Sequence, residues 1–190
     1  FEWVPHPSQT LLYAIFALMI LATIGITLGY YYRLSALLFF LTFTYVELLD
    51  STFYLNHYYF IILISFLLIF MPAHRRLSMD VWLGKASRLD QVPRIFTGLL
   101  KAQIAIVYFF AGIAKINVDW LLQAMPMRIW LAANTNKPLL GDLFAYKWVA
   151  FLFSWIGMLY DTTIGLWLSL KQTRLFAFSS VVIFHLLTGW

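Results

Sequence analysis

An uncharged stretch early in the chain constrains the fold more than any other feature of the sequence. Residues 10–32 contain no Asp, Glu, Lys or Arg, and most of their side chains are apolar. A helix of about 20 such residues is long enough to cross the hydrocarbon core of a bilayer. The stretch therefore predicts a membrane-spanning helix at Thr10–Tyr32. Its Gly25 and Gly29, spaced as Gly-x-x-x-Gly, predict close packing against another helix.

The composition of the whole chain extends this prediction. Of its 190 residues, 63% are hydrophobic and 11% are charged, against about 25% charged in an ordinary soluble domain. This excludes a soluble domain and a disordered chain, and the net charge of +5 is carried by too few residues to bind nucleic acid. The absence of cysteine removes disulfides, thiolate metal sites and thiolate bases. We expect an all-α, polytopic transmembrane helix bundle.

Further apolar runs follow, so the sequence predicts about six spans within a single domain over residues 1–190. A loop rich in Arg and Lys precedes the fourth span, and a long loop at Asn117–Lys147 follows it. Both ends of the chain look cut from a longer protein, so we expect a fragment. The predicted spans are Thr10–Tyr32, Leu34–Leu49, Asn56–Met71, Ile95–Ile116, Trp148–Leu170 and Leu175–Trp190.

Basic residues predict the orientation of these spans. With six spans, nine Lys and Arg residues fall on one side of the membrane and three on the other. The positive-inside rule makes the first side cytoplasmic, which places the N-terminus outside and favours a further span upstream. Glu47–His57, Lys115 and His185 then share the non-cytoplasmic side, where they could converge. The nine are Arg33, Arg75, Arg76, Lys85, Arg88, Arg94, Lys101, Lys171 and Arg174, and the three are Arg128, Lys137 and Lys147.

Lys115 is the first candidate for chemistry, because ionisable side chains inside apolar helices are costly and are retained for function. On a helix it shares a face with Tyr108, Ala111 and Gly112, and the two small residues leave room for a ligand or another helix. Desolvation disfavours an ammonium group, and a neutral amine is a competent general base. The alternative is that Lys115 snorkels to the interface or pairs with Asp119.

Asn56 and His57 begin the predicted third span on the same side. His57 could hydrogen-bond an anion or orient a base, or it could be an ordinary hydrogen-bonded interfacial side chain. Asn56 could be an N-cap. Glu47 and Asp50 share a helix face and could bind a cation, pair with Lys115 or mark the end of the helix.

Two further ionisable residues lie in late spans. His185 is either packed and hydrogen-bonded or part of a site. Asp161, near mid-membrane, is expected to bond a neighbouring helix or a polar group of a cofactor. The spacing of the histidines and acidic residues matches no metal motif, so no metal site is predicted. The many aromatic rings could hold a flat quinone or a lipid, or could serve packing alone.

Several blocks of sequence carry a family resemblance. They are residues 50–59 with their Asn-His pair, 70–80, and 103–120 with the pattern Val-Tyr-Phe-x-Ala-Gly-x-x-Lys, followed by 159–165 and 184–185. In these blocks the chain resembles the transmembrane part of vitamin K-dependent gamma-glutamyl carboxylase and its bacterial relatives, the HTTM (horizontally transferred transmembrane domain) proteins. The blocks occur in the same order and cover nearly the whole chain.

The resemblance implies an enzyme of the carbon–carbon lyase class that is also an epoxidase. Such an enzyme oxidises vitamin K hydroquinone to the epoxide with dioxygen and couples this to the addition of carbon dioxide to glutamate side chains. Lys115 would be the base that deprotonates the hydroquinone. Asn56 and His57 would act on the hydroquinone and its oxyanion. Where the animal enzymes have two consecutive lysines, this chain has Ala114 and Lys115.

The resemblance also implies where the hydroquinone binds and what the partners are. His185 would be a second histidine of the site, and we assign Tyr108, Gly112 and Asp161 to cofactor binding with it. The expected partners are membrane lipids and a glutamate-containing peptide or protein, with no nucleic acid. The expected location is the bacterial inner membrane or the ER membrane, with the site toward the non-cytoplasmic side. The alternative function is a non-enzymatic membrane module that binds a quinone or a lipid.

Overall fold

The computed structural model describes residues 3–49, 55–138 and 140–188. All regular secondary structure in these ranges is helical, which confirms the all-α prediction. The chain divides into two compact units, Phe1–Lys101 and Ala102–Trp190. Asp50, a candidate in the sequence, lies outside the described residues. The helices are α1 (Gln9–Leu28), α2 (Tyr32–Leu49), α3 (Asn56–Phe70), α4 (Met79–Trp82), α5 (Arg94–Ala114), α6 (Val118–Leu121), α7 (Met125–Ala132), α8 (Gly141–Phe144), α9 (Lys147–Ser169) and α10 (Arg174–Thr188).

Four of the described helices, α1, α2, α5 and α9, are long and apolar enough to cross a bilayer. Helices α3 and α10 lie where the third and sixth spans are predicted, and each has 15 residues. A helix of that length measures about 22 Å, which is shorter than the roughly 30 Å hydrocarbon core. The transmembrane helix bundle is therefore supported, whereas the count of six spans and the single domain over residues 1–190 stay predictions.

The first predicted span extends beyond the helix that forms, because α1 ends at Leu28. Gly29 adopts the left-handed conformation, with φ of 61°, and its N–H donates to carbonyl groups one turn earlier. Helices commonly end at a glycine in this conformation. Tyr31 continues the turn with φ of 41°. As a result α2 begins at Tyr32 rather than at Leu34.

The Gly-x-x-x-Gly pattern makes two separate contacts. A Cβ atom at Gly25 would collide with the Ser35 side chain on α2, so the glycine lets α1 and α2 approach closely. Gly29 instead lies against Ser78, in the loop after α3. The predicted close helix packing is confirmed at Gly25, whereas the neighbour of Gly29 is a loop.

The basic loop, residues 72–93 between α3 and α5, is hydrogen-bonded to the turn between α1 and α2. The buried carboxylate of Asp80 accepts the backbone N–H groups of Tyr31 and Tyr32 at 2.9 and 3.0 Å. The Tyr32 hydroxyl donates to the carbonyl of Leu68, near the end of α3, at 3.0 Å. The start of α2 and the end of α3 therefore lie at the same end of this unit, as they would if α3 returned the chain across the membrane.

The predicted long loop at Asn117–Lys147 contains, in its described part, the three short helices α6, α7 and α8. Helices of four to eight residues are too short for hydrophobic periodicity to identify. Helix α7 packs on α9 around a small buried core of Ala124, Leu131, Val149 and Ala150. This part of the second unit is thus folded against α9 instead of forming an irregular loop.

Candidate functional site

The centre of the site is an ion pair between Lys115 and Asp161. Lys115 directly follows the last residue of α5, and Asp161 lies near the middle of α9. The Lys115 Nζ donates to Asp161 Oδ2 at 2.5 Å and to the Ala111 carbonyl at 3.2 Å. The two side chains are only 20% and 9% exposed. Lys115 therefore pairs with Asp161 rather than with Asp119, and Asp161 does bond a neighbouring element as expected.

Gly112 explains why these two residues meet. A Cβ atom at this position would lie 2.5 Å from Cγ2 and 2.6 Å from the backbone N of Thr162. The backbones of α5 and α9 therefore touch at Gly112. Lys115 follows Gly112 by three residues and so lies next to Asp161. The sequence left open whether a ligand or another helix fills the space beside Gly112, and in the structure the neighbour is helix α9. The assignment of Gly112 to cofactor binding stays a prediction.

A second polar contact joins α5 to α10. The Tyr108 hydroxyl and His185 Nε2 lie 2.9 Å apart, and either can donate, depending on which ring nitrogen of the histidine carries the proton. Tyr108 precedes Lys115 by two helical turns, about 10 Å along the axis. The second unit therefore aligns an amine–carboxylate pair and a phenol–imidazole pair along one face of α5.

Tyr160 fills the space next to these pairs, and sequence reasoning did not single it out. Its ring meets the ring of Tyr108 edge-on at 6.0 Å and stacks on the ring of Phe184 at 4.5 Å. Its hydroxyl is buried and has no hydrogen-bond partner of ordinary geometry among the described residues. The Tyr160 hydroxyl does interact with the side chain of Tyr108, so it belongs to the same polar group as the Tyr108–His185 pair. The signals in the sequence were its position directly before Asp161 and its place in the block 159–165.

Trp120 borders the site on the side of Lys115. Its ring centroid lies 5.1 Å from the Lys115 Nζ, within the range of a cation–π contact. The side chain of Asn117 caps α6 by accepting the Trp120 N–H at 3.0 Å, and the Ser154 hydroxyl of α9 donates to the Trp120 carbonyl. Helix α6 thereby presents an aromatic face to the lysine.

The predicted site residues fall into two groups. Lys115, Asp161, Tyr108, Gly112 and His185 belong to the second unit, which brings them together. Asn56 and His57 belong to the first unit and are exposed at the start of α3. Asn56 is the first helical residue, and Leu55 takes the N-cap position considered for it. Convergence of the two groups stays a prediction, and within the described ranges no three His, Asp or Glu residues form a metal-binding cluster.

Long apolar helices and a charged pair held between two of them define a class, the polytopic integral membrane protein. Within this class the chain belongs to the HTTM domain family, which matches residues 1–189. HTTM domains are found in vitamin K-dependent carboxylase and related proteins. No solved structure matches the chain. The family resemblance is therefore confirmed at the level of the HTTM domain.

Proposed function

We propose that this chain is the membrane core of an enzyme that oxygenates a vitamin K-type hydroquinone to its epoxide, with Lys115 as the general base. The observation that carries the proposal is the contact of a largely buried Lys115 amine with the Asp161 carboxylate at 2.5 Å. The HTTM family, which includes vitamin K-dependent carboxylases, supplies the choice of substrate.

The residues of the second unit fit a quinol. Such a molecule needs flat apolar surfaces for its rings and hydrogen-bonding groups for its two hydroxyl oxygens. Trp120 and Tyr160 offer aromatic faces, and the Tyr108–His185 pair and the Tyr160 hydroxyl offer polar groups. When bound, the hydroquinone supplies an acidic hydroxyl and the electrons that reduce dioxygen, one oxygen atom ending in the epoxide and the other in water.

Asp161 explains how Lys115 can act as a base although it is paired. An ammonium group cannot accept a proton. Transfer of the shared proton from Nζ to Oδ2, across the contact of 2.5 Å, leaves a neutral amine beside a carboxylic acid. In a surrounding of low dielectric constant, this uncharged pair avoids the cost of keeping two desolvated charges. Lys115 Nζ is then able to take a proton from a hydroxyl group bound beside it, while Asp161 keeps the first proton.

Epoxide formation by the purified protein in lipid nanodiscs tests this proposal. Vitamin K hydroquinone and dioxygen are added, and we expect epoxide from the unchanged protein and none from the Lys115→Arg variant. Arginine keeps the positive charge beside Asp161 but does not release a proton at any accessible pH. Lys115→Ala is less informative, because leaving a buried carboxylate without its partner costs about 3–5 kcal/mol of stability.

Lys101→Arg is the matched control, since Lys101 is an exposed residue of the same helix, and it should leave the epoxide yield unchanged. Undiminished epoxide from Lys115→Arg would show that Lys115 is not the base.

We propose in addition that epoxide formation is coupled to the addition of carbon dioxide to glutamate, with a glutamate-containing peptide or protein as partner. Its measurement is the incorporation of labelled carbon dioxide into a glutamate-containing peptide.

A second candidate function is a non-enzymatic module that binds a quinone or a lipid. An open apolar groove between α5 and α9, lined in part by Ala105, Phe109 and Leu166, favours it. In that case the Lys115–Asp161 pair only holds the two helices together. Quinone binding without oxygen uptake by the unchanged protein would identify this function in place of the enzyme.

A further inference from the structure

The basic loop presents positive charge that its own acidic residues do not neutralise toward solvent. It contains Arg75, Arg76, Lys85 and Arg88 against two aspartates. One of these, Asp80, is 6% exposed and is used by the backbone of the α1–α2 turn. The other pairs with Arg88 at 3.0 Å in a contact that is exposed on both sides. Because an exposed ion pair is weak, a stronger anion can replace it.

The same loop exposes two large apolar side chains. Leu77 is 94% exposed and Trp82, the last residue of α4, is 81% exposed. Both lie outside the apolar helices, between the end of α3 and the start of α5, so they are not accounted for by a membrane-spanning segment. Tryptophan is enriched in membrane proteins at the level of the lipid headgroups.

The loop is held in shape before anything binds to it. Arg75 donates to the Ser87 hydroxyl at 3.0 Å, and Ser78 caps α4 by accepting the Val81 N–H at 3.2 Å. The Lys85 Nζ lies 3.7 Å from the centroid of the Tyr31 ring, and the Tyr31 side chain raises the pKa of Lys85 above its ordinary value. Lys85 is therefore charged at any physiological pH, and a preformed surface loses little conformational entropy on binding.

We propose that the basic loop is a docking surface for the headgroups of anionic lipids. Arg76, Lys85 and Arg88 bind the lipid phosphates, while Leu77 and Trp82 insert among the neighbouring acyl chains. Opposite charge and adjacent apolar side chains are the features that such a lipid surface recognises. This inference is independent of the proposed enzymatic activity.

A fluorescent reporter at Leu77 tests the proposal. Because the chain has no cysteine, Leu77→Cys can be labelled with a bimane fluorophore at that position alone, with Trp82 intact. The protein is placed in nanodiscs that contain brominated phosphatidylglycerol or, at equal mole fraction, brominated phosphatidylcholine. We expect about twofold or greater preferential quenching by the anionic lipid, and loss of the preference at high salt, where charges are screened.

The triple variant Arg76→Gln, Lys85→Gln, Arg88→Gln should abolish the preference. The matched control removes three charges elsewhere, as Arg128→Gln, Lys137→Gln, Lys147→Gln, and should retain it. Equal quenching by the two lipids in the unchanged loop would overturn the proposal, and so would a preference that survives high salt. Quenching relieved by added inorganic phosphate would show that the surface takes a free anion instead of a lipid headgroup.

Discussion

Asp161 lies near the middle of an apolar helix, which is an expensive position for a carboxylate. The ion pair with Lys115 offsets part of that cost, and the two residues are separated by 46 positions in the sequence. Of the two interpretations of Lys115 made from the sequence, the pairing is found with Asp161 in place of Asp119, whereas the role as a general base stays a prediction. The partner is a buried carboxylate, so the contact is not a simple surface ion pair.

His74, in the basic loop, predicts a pH dependence of stability. Burial lowers the pKa of His74 below its ordinary value of 6.5; Asp80 acts against this, and Arg75 and Arg33 add to it. Between the pKa of the unfolded state and the lower pKa of the folded state, the unfolded state binds more protons. The free energy of unfolding is therefore highest above about pH 6.5, and it decreases as the pH falls from there through the lower pKa of the folded state. The melting temperature in detergent, measured between pH 5 and 8, should show this decrease.

The control for this prediction is His74→Phe. Phenylalanine can keep the stacked contact with Tyr32, whose ring centroid lies 4.7 Å from that of His74, but it cannot bind a proton. The melting temperature of this variant should change less between pH 5 and 8 than that of the unchanged protein. An equally steep decrease in His74→Phe would show that the pH dependence arises from another group.

At the scale of the helices, the crossing of α5 and α9 depends on small residues. Gly112 meets the backbone of Thr162, and two turns earlier Ala105 meets Gly165, where an added Cβ atom would lie 3.0 Å from that of Ala105. Both contacts involve positions with little or no side chain. Close approach of two helices through small residues is a common form of packing in membranes, where the hydrophobic effect does not drive helices together.

Gly112→Ala should therefore destabilise the second unit by about 1–3 kcal/mol, because the added methyl group has no space beside Thr162. Gly98→Ala is the matched control on the same helix, since no atom lies within 4 Å of an added Cβ there. It should stabilise the helix by up to about 1 kcal/mol, as alanine favours helix formation. Unfolding in mixed micelles measures both, and similar effects of the two changes would contradict the role of Gly112.

At the scale of the whole molecule, the number of spans determines on which side of the membrane each loop lies. The predicted six spans would place the basic loop on the cytoplasmic side and residues 115–147 on the other. If only the four long helices crossed, the segment before α1 and the basic loop would share a side. The Asp80 contacts with the α1–α2 turn support a crossing by α3, because they place the basic loop beside that turn.

Single cysteines at exposed positions distinguish these two topologies. We expect His6→Cys and Asn136→Cys to react with a membrane-impermeant maleimide from one side of oriented vesicles and Leu77→Cys from the other, because six crossings separate the sites in this way. The chain has no cysteine of its own that would react. Reaction of His6→Cys and Leu77→Cys from the same side would show that only the four long helices cross.

The sequence by itself determined the class of protein, the helical fold and the identity of Lys115, Tyr108 and His185 as residues of interest. Hydropathy and family motifs are properties of continuous segments, so they can be read without knowing which segments meet. Hydropathy and motifs did not predict the early end of α1 at Gly29 or the short helices after Lys115. In these places single turns and buried contacts outweigh the average hydropathy of a long window.

Only the tertiary structure decided which side chains pair. The partner of Lys115 is 46 residues away and that of Tyr108 is 77 residues away, and no spacing rule connects positions so distant. Tyr160 entered the site for the same reason, since its importance depends on Tyr108 and Phe184 from two other helices. Local sequence determines the energy of placing a segment in the membrane, whereas the pairing of buried polar groups depends on how the helices cross.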